Sequence, residues 1–354
     1  MNFLEWRDNM NPFASYRAIN TKLSAKRRTF LSDREWERAA EFKTVPQMIE
    51  FLKKREGYSE AFSKYKLEEF HRGDLEILLQ RYMVNQIESI LHYYSGSYKE
   101  FFKTFLMEYE INDLQLILRV IARNEEKEGI EKSFIHSDHY AQCNYGKLVN
   151  SKNVAQFIEA LKGTSYYDAL KTMVQEDVHK REFHMEMKLY ILLYKTLMDK
   201  ASGLEDMDQE VAKKMIGTKA DLINIQWIFR ATKYYVISPE EMLIYSLPYG
   251  NRLTYQKLKT LAYSKNLEEL KKQAEKYISY PLFEKATEEF LDRNIDKYLY
   301  DYIKRFPKEG EDIAQTIAYI YALEVEVKDL TSLTEGIRYT LPEIELSKYL
   351  VHTL

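Results

Sequence analysis

A chain of 354 residues with 45% hydrophobic and 30% charged residues, 7 Pro and 11 Gly reads as an all-α protein, too long for one small core. Its 52 basic and 55 acidic side chains leave a net charge of −3, which excludes a protein-wide field of the kind that holds nucleic acid or anionic lipid. A single cysteine, Cys143, excludes a disulfide framework and a cysteine-rich zinc site, and it suits a reducing compartment.

The opening MNFLEWRDNM has acidic residues and no basic stretch followed by an apolar one, so it is not expected to be a secretory signal; residues 1–27 are expected to form a lead-in helix. Ser32 and Asp33 then cap the helix DREWERAAEF. Amphipathic helices follow over KTVPQMIEFLKKREGY, LEEFHRGDLEILLQRYMVNQIESILHYY, SYKEFFKTFLMEYE and EINDLQLILRVIAR, with YSGSY as a turn. Further on, the most apolar run, LYILLYKTLM, is short and broken by Lys195, so no membrane span is expected.

The helix containing Asp113-Leu114 returns twice at a spacing of 108 residues, as KADLINIQWIFRATK with Asp221-Leu222 and as EVKDLTSLTEGIRY with Asp329-Leu330. One, four and eight residues after the Asp stand Leu114, Ile117 and Ile121; Leu222, Ile225 and Phe229; Leu330, Leu333 and Ile337. At about 100° per residue each set lies within about 60°, forming a stripe for a neighbouring helix. Each Asp is expected to open its helix, where a carboxylate caps free N–H groups and complements the dipole for ~0.5 to 1 kcal/mol.

A second block repeats upstream at a spacing of 109 residues, pairing Lys43, Val45, Gln47 and Ile49 with Lys152, Val154, Gln156 and Ile158; a fainter copy starts at Ser264. The expected division is therefore a lead-in of 1–27 and three helical repeats at 28–136, 137–245 and 246–354. Repeats of this length are small domains, and three can surround a central axis or continue as an extended row.

Motifs for chemistry are weak. His136-Ser137-Asp138-His139 is the one close histidine cluster, and it reads as a loop between repeats. His179 and His184 are five apart and do not share a helix face. Gly146-Lys147 lacks the rest of a phosphate loop, no G-x-S-x-G occurs, and Cys143 has no activating neighbour in sequence. Tyr298, Tyr300 and Tyr302 are interleaved with Lys297, Lys304 and Arg305, but alternate helical residues diverge by about 200°, so they make packing rather than a base-stacking platform.

The order of blocks resembles the C subunit of V-type (A-type) rotary ATPases, the counterpart of the d subunit of the eukaryotic vacuolar proton pump. The stretches that carry it are YRAINTKLSAKRRTFLS (Tyr16, Asn20, Lys22, Leu23, Leu31), ADLINIQWIFRATK, LPYGNRLTYQKLKTL (Leu247, Pro248, Gly250, Leu253), EEFLDRNIDKYL and EVEVKDLTSLTEGIRY. Tyr249-Gly250 stands where the family usually has a glycine pair, Lys22 where it has an arginine, and Gly336 at a position apolar in the other two copies.

The resemblance implies three pseudo-threefold-related helical domains in a funnel-like body. It implies a non-catalytic central-stalk adapter, without cofactor, metal, nucleic acid or small-molecule substrate. Its implied partners are the D- and F-type shaft subunits and the c- or K-type proteolipid ring, and its implied place is peripheral, on the cytoplasmic face of the membrane. The competing reading is a generic helical scaffold or nucleic-acid-associated protein. If the three repeated helices line a cavity, the arcs away from the stripe would meet the shaft: Arg119 and Arg123; Gln226, Arg230 and Lys233; Glu335 and Arg338. A solvated outer face or intramolecular pairing is the alternative use of these side chains.

Overall fold

The computed structural model describes residues 12–63, 73–174, 182–235, 237–284, 290–306 and 312–352. His179 lies outside them. Among the described residues all regular structure is helical. In chain order the α-helices are α1 (Pro12–Arg27), α2 (Asp33–Ala40), α3 (Val45–Lys53), α4 (Ser59–Ser63), α5 (Asp74–Leu91), α6 (Gly96–Lys103) and α7 (Met107–Arg123). Next come α8 (Tyr145–Val149), α9 (Val154–Ala160), α10 (Ser165–Leu170), α11 (Glu182–Ala201), α12 (Asp206–Tyr234) and α13 (Pro239–Ile244). The last are α14 (Tyr255–Ala262), α15 (Leu267–Ile278), α16 (Leu291–Ile303), α17 (Ala314–Arg338) and α18 (Glu343–Leu346). None of the described helices is long and apolar enough to cross a membrane.

Capping chemistry explains the upstream repeat. At the start of α3 the Gln47 side chain accepts from the Lys43 and Thr44 backbone N–H groups, at 2.8 and 3.2 Å. At α9 Gln156 accepts from Lys152 N (2.9 Å) while Asn153 accepts from Gln156 N (2.9 Å). At α15 Glu269 and Asn266 do the same with Lys265 N and Glu269 N, both at 2.9 Å. The recurring Gln or Glu is thus the reciprocal partner of a helix-start residue, which satisfies donors that a helix N-terminus leaves free. Ser32 caps α2 in the same manner, with Glu35 reaching back to its N–H at 3.0 Å.

The chain packs as two compact units, one of Met1–Ser95, Glu205–Ala212 and Leu282–Leu354, the other of Gly96–Leu204 and Lys213–Pro281. In the first, α17 is the central helix and packs against α1, α2, α3, α5 and α16, so segments from both ends of the sequence share one core. Nearly every side of α17 is apolar and buried, as a helix surrounded by others requires. In the second unit α11 packs on α6, α7 and α10, α9 on α7, and α14 on α13 and α15. The nine stripe residues expected to face neighbouring helices are all buried, the most exposed, Ile337, at 5%.

Candidate functional site

The three repeated aspartates do not open their helices. Asp113, Asp221 and Asp329 lie inside α7, α12 and α17, and each is at most 2% exposed. The helices extend upstream beyond the repeated segment, so the N–H groups just after each Asp already bond the preceding turn, and the carboxylate is free for another segment.

What each carboxylate holds is a loop. Asp113 accepts from Ile135 N (3.1 and 3.0 Å to its two oxygens), His136 N (2.9 Å) and His136 Nδ1 (2.7 Å). Asp329 accepts from Val351 N (3.0 and 2.9 Å), His352 N (2.8 Å) and His352 Nδ1 (2.7 Å). Each histidine ring also lies flat on an aromatic: His136 on Tyr145 with centroids 3.6 Å apart, and His352 on Trp36 at 4.7 Å. The two histidines are 216 residues apart, twice the repeat, a signal legible in sequence but outside the repeated helices themselves.

The middle copy solves the same problem with a different loop. Asp221 accepts from Arg252 N (2.6 Å) and Leu253 N (3.0 Å). Burial pushes its carboxyl up to about 6, opposed by the N–H groups of Arg252, Leu253 and Asn251 and by the Lys257 charge. Close approach needs two glycines. A Cβ on Gly250 would strike the Asp221 carboxylate and come within 2.7 Å of Leu253 O, and one on Gly217 would lie 2.9 Å from Tyr249 O and Asn251 N. Tyr249 takes the left-handed conformation (φ 68°) that a glycine adopts without cost, which accounts for the usual glycine pair here. Asn224, fully buried, binds the same loop reciprocally through Leu247 N (2.7 Å) and Leu247 O (3.0 Å).

One turn before the Asp, two copies carry a buried glutamate. Glu110 accepts from Gln142 N (2.8 Å), Cys143 N (3.0 Å) and Tyr166 Oη (2.8 Å); Glu326 accepts from Leu31 N (3.2 Å) and Tyr58 Oη (2.6 Å). The third copy has Thr218, whose hydroxyl accepts from Asn251 Nδ2 at 3.1 Å. That substitution hides the glutamates from a search for residues shared by all three helices.

The arcs named from the sequence occupy the less buried sides of their helices. Arg123 and Arg230 are exposed, and Arg119 and Gln226 half-buried. Lys233 is exposed and sits over the Phe229 and Tyr234 rings at 5.4 and 5.2 Å. Glu335 and Arg338 form an ion pair at 3.2 Å, and the Arg338 guanidinium lies 5.0 Å from the Tyr339 ring centroid. Arg119 Nε donates to Gln115 O at 3.2 Å, and Arg123 is 3.9 Å from Glu125. Part of the set is therefore engaged within its own helix. Beside these cations stand exposed side chains that no repeat singles out: Tyr234 and Tyr235 after Lys233, and Tyr339, Leu341 and Ile344 after Arg338.

The candidates for chemistry do not assemble. Among the described residues no group of three or more His, Cys, Asp and Glu is placed to hold a metal, and the Nδ1 of His136 is committed to Asp113. The 136–139 segment is a loop, as expected. Burial, then the Glu110 charge, pushes the Cys143 thiol up, so it remains protonated. Tyr298 and Tyr302 are buried within the core around α16, consistent with packing.

The sequence profile of the ATP synthase (C/AC39) subunit family matches residues 19–349. The C subunit of the A-type ATP synthase of Methanosphaera stadtmanae is 22% identical over 349 residues, covering 95% of this chain and 88% of that protein. Its counterpart in the A-type ATP synthase of Methanosarcina acetivorans is 26% identical over 201 residues, 56% of this chain and 55% of that one. The counterpart from Archaeoglobus fulgidus is 23% identical over 262 residues, 72% of this chain and 73% of the relative.

Proposed function

The chain belongs to the ATP synthase (C/AC39) subunit family, and we propose that it is a non-catalytic central-stalk adapter of a V/A-type rotary ATPase, joining the rotor shaft to the membrane rotor ring. The observation that carries this reading is the family match along residues 19–349, which takes in all three repeated helices. The construction suits the task. Torque transfer requires a stiff body, and three buried carboxylates that each tie a loop to a long helix supply stiffness without a reactive group.

In this reading the chain comprises a lead-in of 1–27 and three pseudo-threefold-related repeats of 28–136, 137–245 and 246–354 in a funnel-like arrangement. It is peripheral, on the cytoplasmic side, reaching the membrane through a ring of c- or K-type proteolipids. The D- and F-type shaft subunits meet the arcs of α7, α12 and α17 that turn away from the packing stripe, namely Arg119, Arg123, Gln226, Arg230, Lys233, Glu335 and Arg338. The exposed Tyr234 and Tyr235 at the end of α12, and Arg338 with Tyr339 at the end of α17, are of residue types enriched at protein contact surfaces.

The test is charge reversal of Arg230 and Lys233 together, followed by titration of the purified D–F shaft pair. A fall in affinity of about tenfold or more, as lost interfacial charges produce, supports the assignment; unchanged affinity removes both residues from the contact.

A further inference from the structure

The two glutamate junctions differ in one respect. On Glu110 both carboxylate oxygens have donors, Oε1 taking two backbone N–H groups and Oε2 the Tyr166 hydroxyl. On Glu326 both bonds go to Oε1, and Oε2 is buried with no partner among the described residues. Burying a carboxylate in this way costs more than burying a protonated carboxyl, whose C=O takes both donors and whose O–H, though without an acceptor, carries no net charge.

The Arg55 charge acts on Glu326 but makes no hydrogen bond to it: only the terminal nitrogens of Arg55 are bonded, and its Nε is buried without a partner among the described residues. Arg55 pairs with Glu35 of α2 and donates to Thr29 O (3.1 Å) and Phe30 O (3.0 Å). From the other elements around α17, Glu326 is faced by Tyr58, by Tyr82 of α5 and by Tyr300 of α16, with Tyr319 and Asp329 on α17 itself. On α1, Arg27 is bound to Gln315 O at 2.9 Å and Lys26 to Gln86 at 2.5 Å. The junction also has no covalent shortcut, since Leu31 and Tyr58 lie 295 and 268 residues from Glu326 in sequence.

We propose that Glu326 is a proton-operated latch: protonated, it holds the 31–58 segment on α17, and release of that proton to solvent favours opening of this seam while the Glu110 junction stays closed. Burial, the largest influence, pushes the Glu326 carboxyl up to about 8, against the opposing bonds from Tyr58 and Leu31 and the Arg55 charge. The sign follows from which state binds the proton more tightly. With the seam closed the group holds its proton to about pH 8, and with the seam open it releases it near the ordinary 4.5. Opening is therefore least favoured below 4.5, grows with pH across that window, and levels off above 8.

The experiment is hydrogen exchange with mass spectrometry on the full chain from about pH 5.5 to 9, corrected for intrinsic exchange. Peptides within 31–58 should lose protection by up to about tenfold per pH unit until about pH 8 and then level off, since one proton is linked to opening. Peptides within 142–166, on Glu110, whose two carboxylate oxygens are both bonded, serve as the internal reference and should show a smaller slope than 31–58. Glu326→Gln should make 31–58 flat as well. Tyr58→Phe removes a bond that favours the charged form, so it should move the levelling-off to higher pH, and it tests the latch even if Glu326→Gln does not fold. A flat profile in the wild type, the same slope in Glu326→Gln, or no upward move in Tyr58→Phe overturns the proposal.

Discussion

Replacing Asp329 with alanine isolates the contribution of one loop clamp. The substitution leaves three donors without an acceptor: Val351 N, His352 N and the His352 ring, all within 3.0 Å of the carboxylate. Stranding a buried donor costs about 1–3 kcal/mol, but the loop lies near the end of the described chain and gains some water when released, so the expected loss is about 3–5 kcal/mol. Part of that cost is release of His352 from Trp36, on which it stacks. Urea unfolding at neutral pH, followed by far-ultraviolet circular dichroism, measures it. Asp113→Ala removes the same donor set from Ile135 and His136, so its loss should match within about 1 kcal/mol. A loss below about 0.5 kcal/mol for Asp329→Ala would refute the clamp, because exposed substitutions alone reach that size.

Three further outcomes follow from the middle copy. Asp221→Asn should flatten the pH dependence of stability: the native carboxyl, raised from 3.8 to about 6, binds its proton more tightly than the unfolded one, so wild-type stability falls as pH rises through that interval. The slope removed corresponds to roughly 2–3 kcal/mol across the window, read by urea unfolding at several pH values. Gly250→Ala places a methyl against the Asp221 carboxylate and Leu253 O, and should lower stability by about 2–4 kcal/mol in the same assay. Tyr249→Gly should raise it by about 0.5–1 kcal/mol, since the exposed tyrosine holds a left-handed backbone that glycine adopts freely.

The helical class and the buried stripes are directly legible in the sequence, because a period of 3.6 over each Asp-Leu helix reports a face and not a partner. The Lys43 block is legible too, though not that Gln47, Gln156 and Glu269 are capping partners. The expectation that the aspartates open their helices fails for a physical reason. A carboxylate before an apolar run looks like a cap, and only the helix upstream, from Asp206 to Asp221 and from Ala314 to Asp329, shows that the N–H groups are already taken. The bonds to His136 and His352 lie 23 residues downstream, beyond any local pattern. The middle copy breaks the series with a longer loop that relies on Gly217 and Gly250 in place of a histidine. Glu326 joins segments from opposite ends of the chain, a contact that repeat spacing alone does not encode.

The adapter reading is tested most directly by capture of the intact purified chain on the isolated rotor ring, followed by addition of the D–F shaft pair at low salt. The account predicts a ternary assembly of ring, chain and shaft, with no shaft retained on the ring when the chain is omitted. Failure of the chain to bind both the ring and the shaft, with each confirmed to be folded, would contradict it.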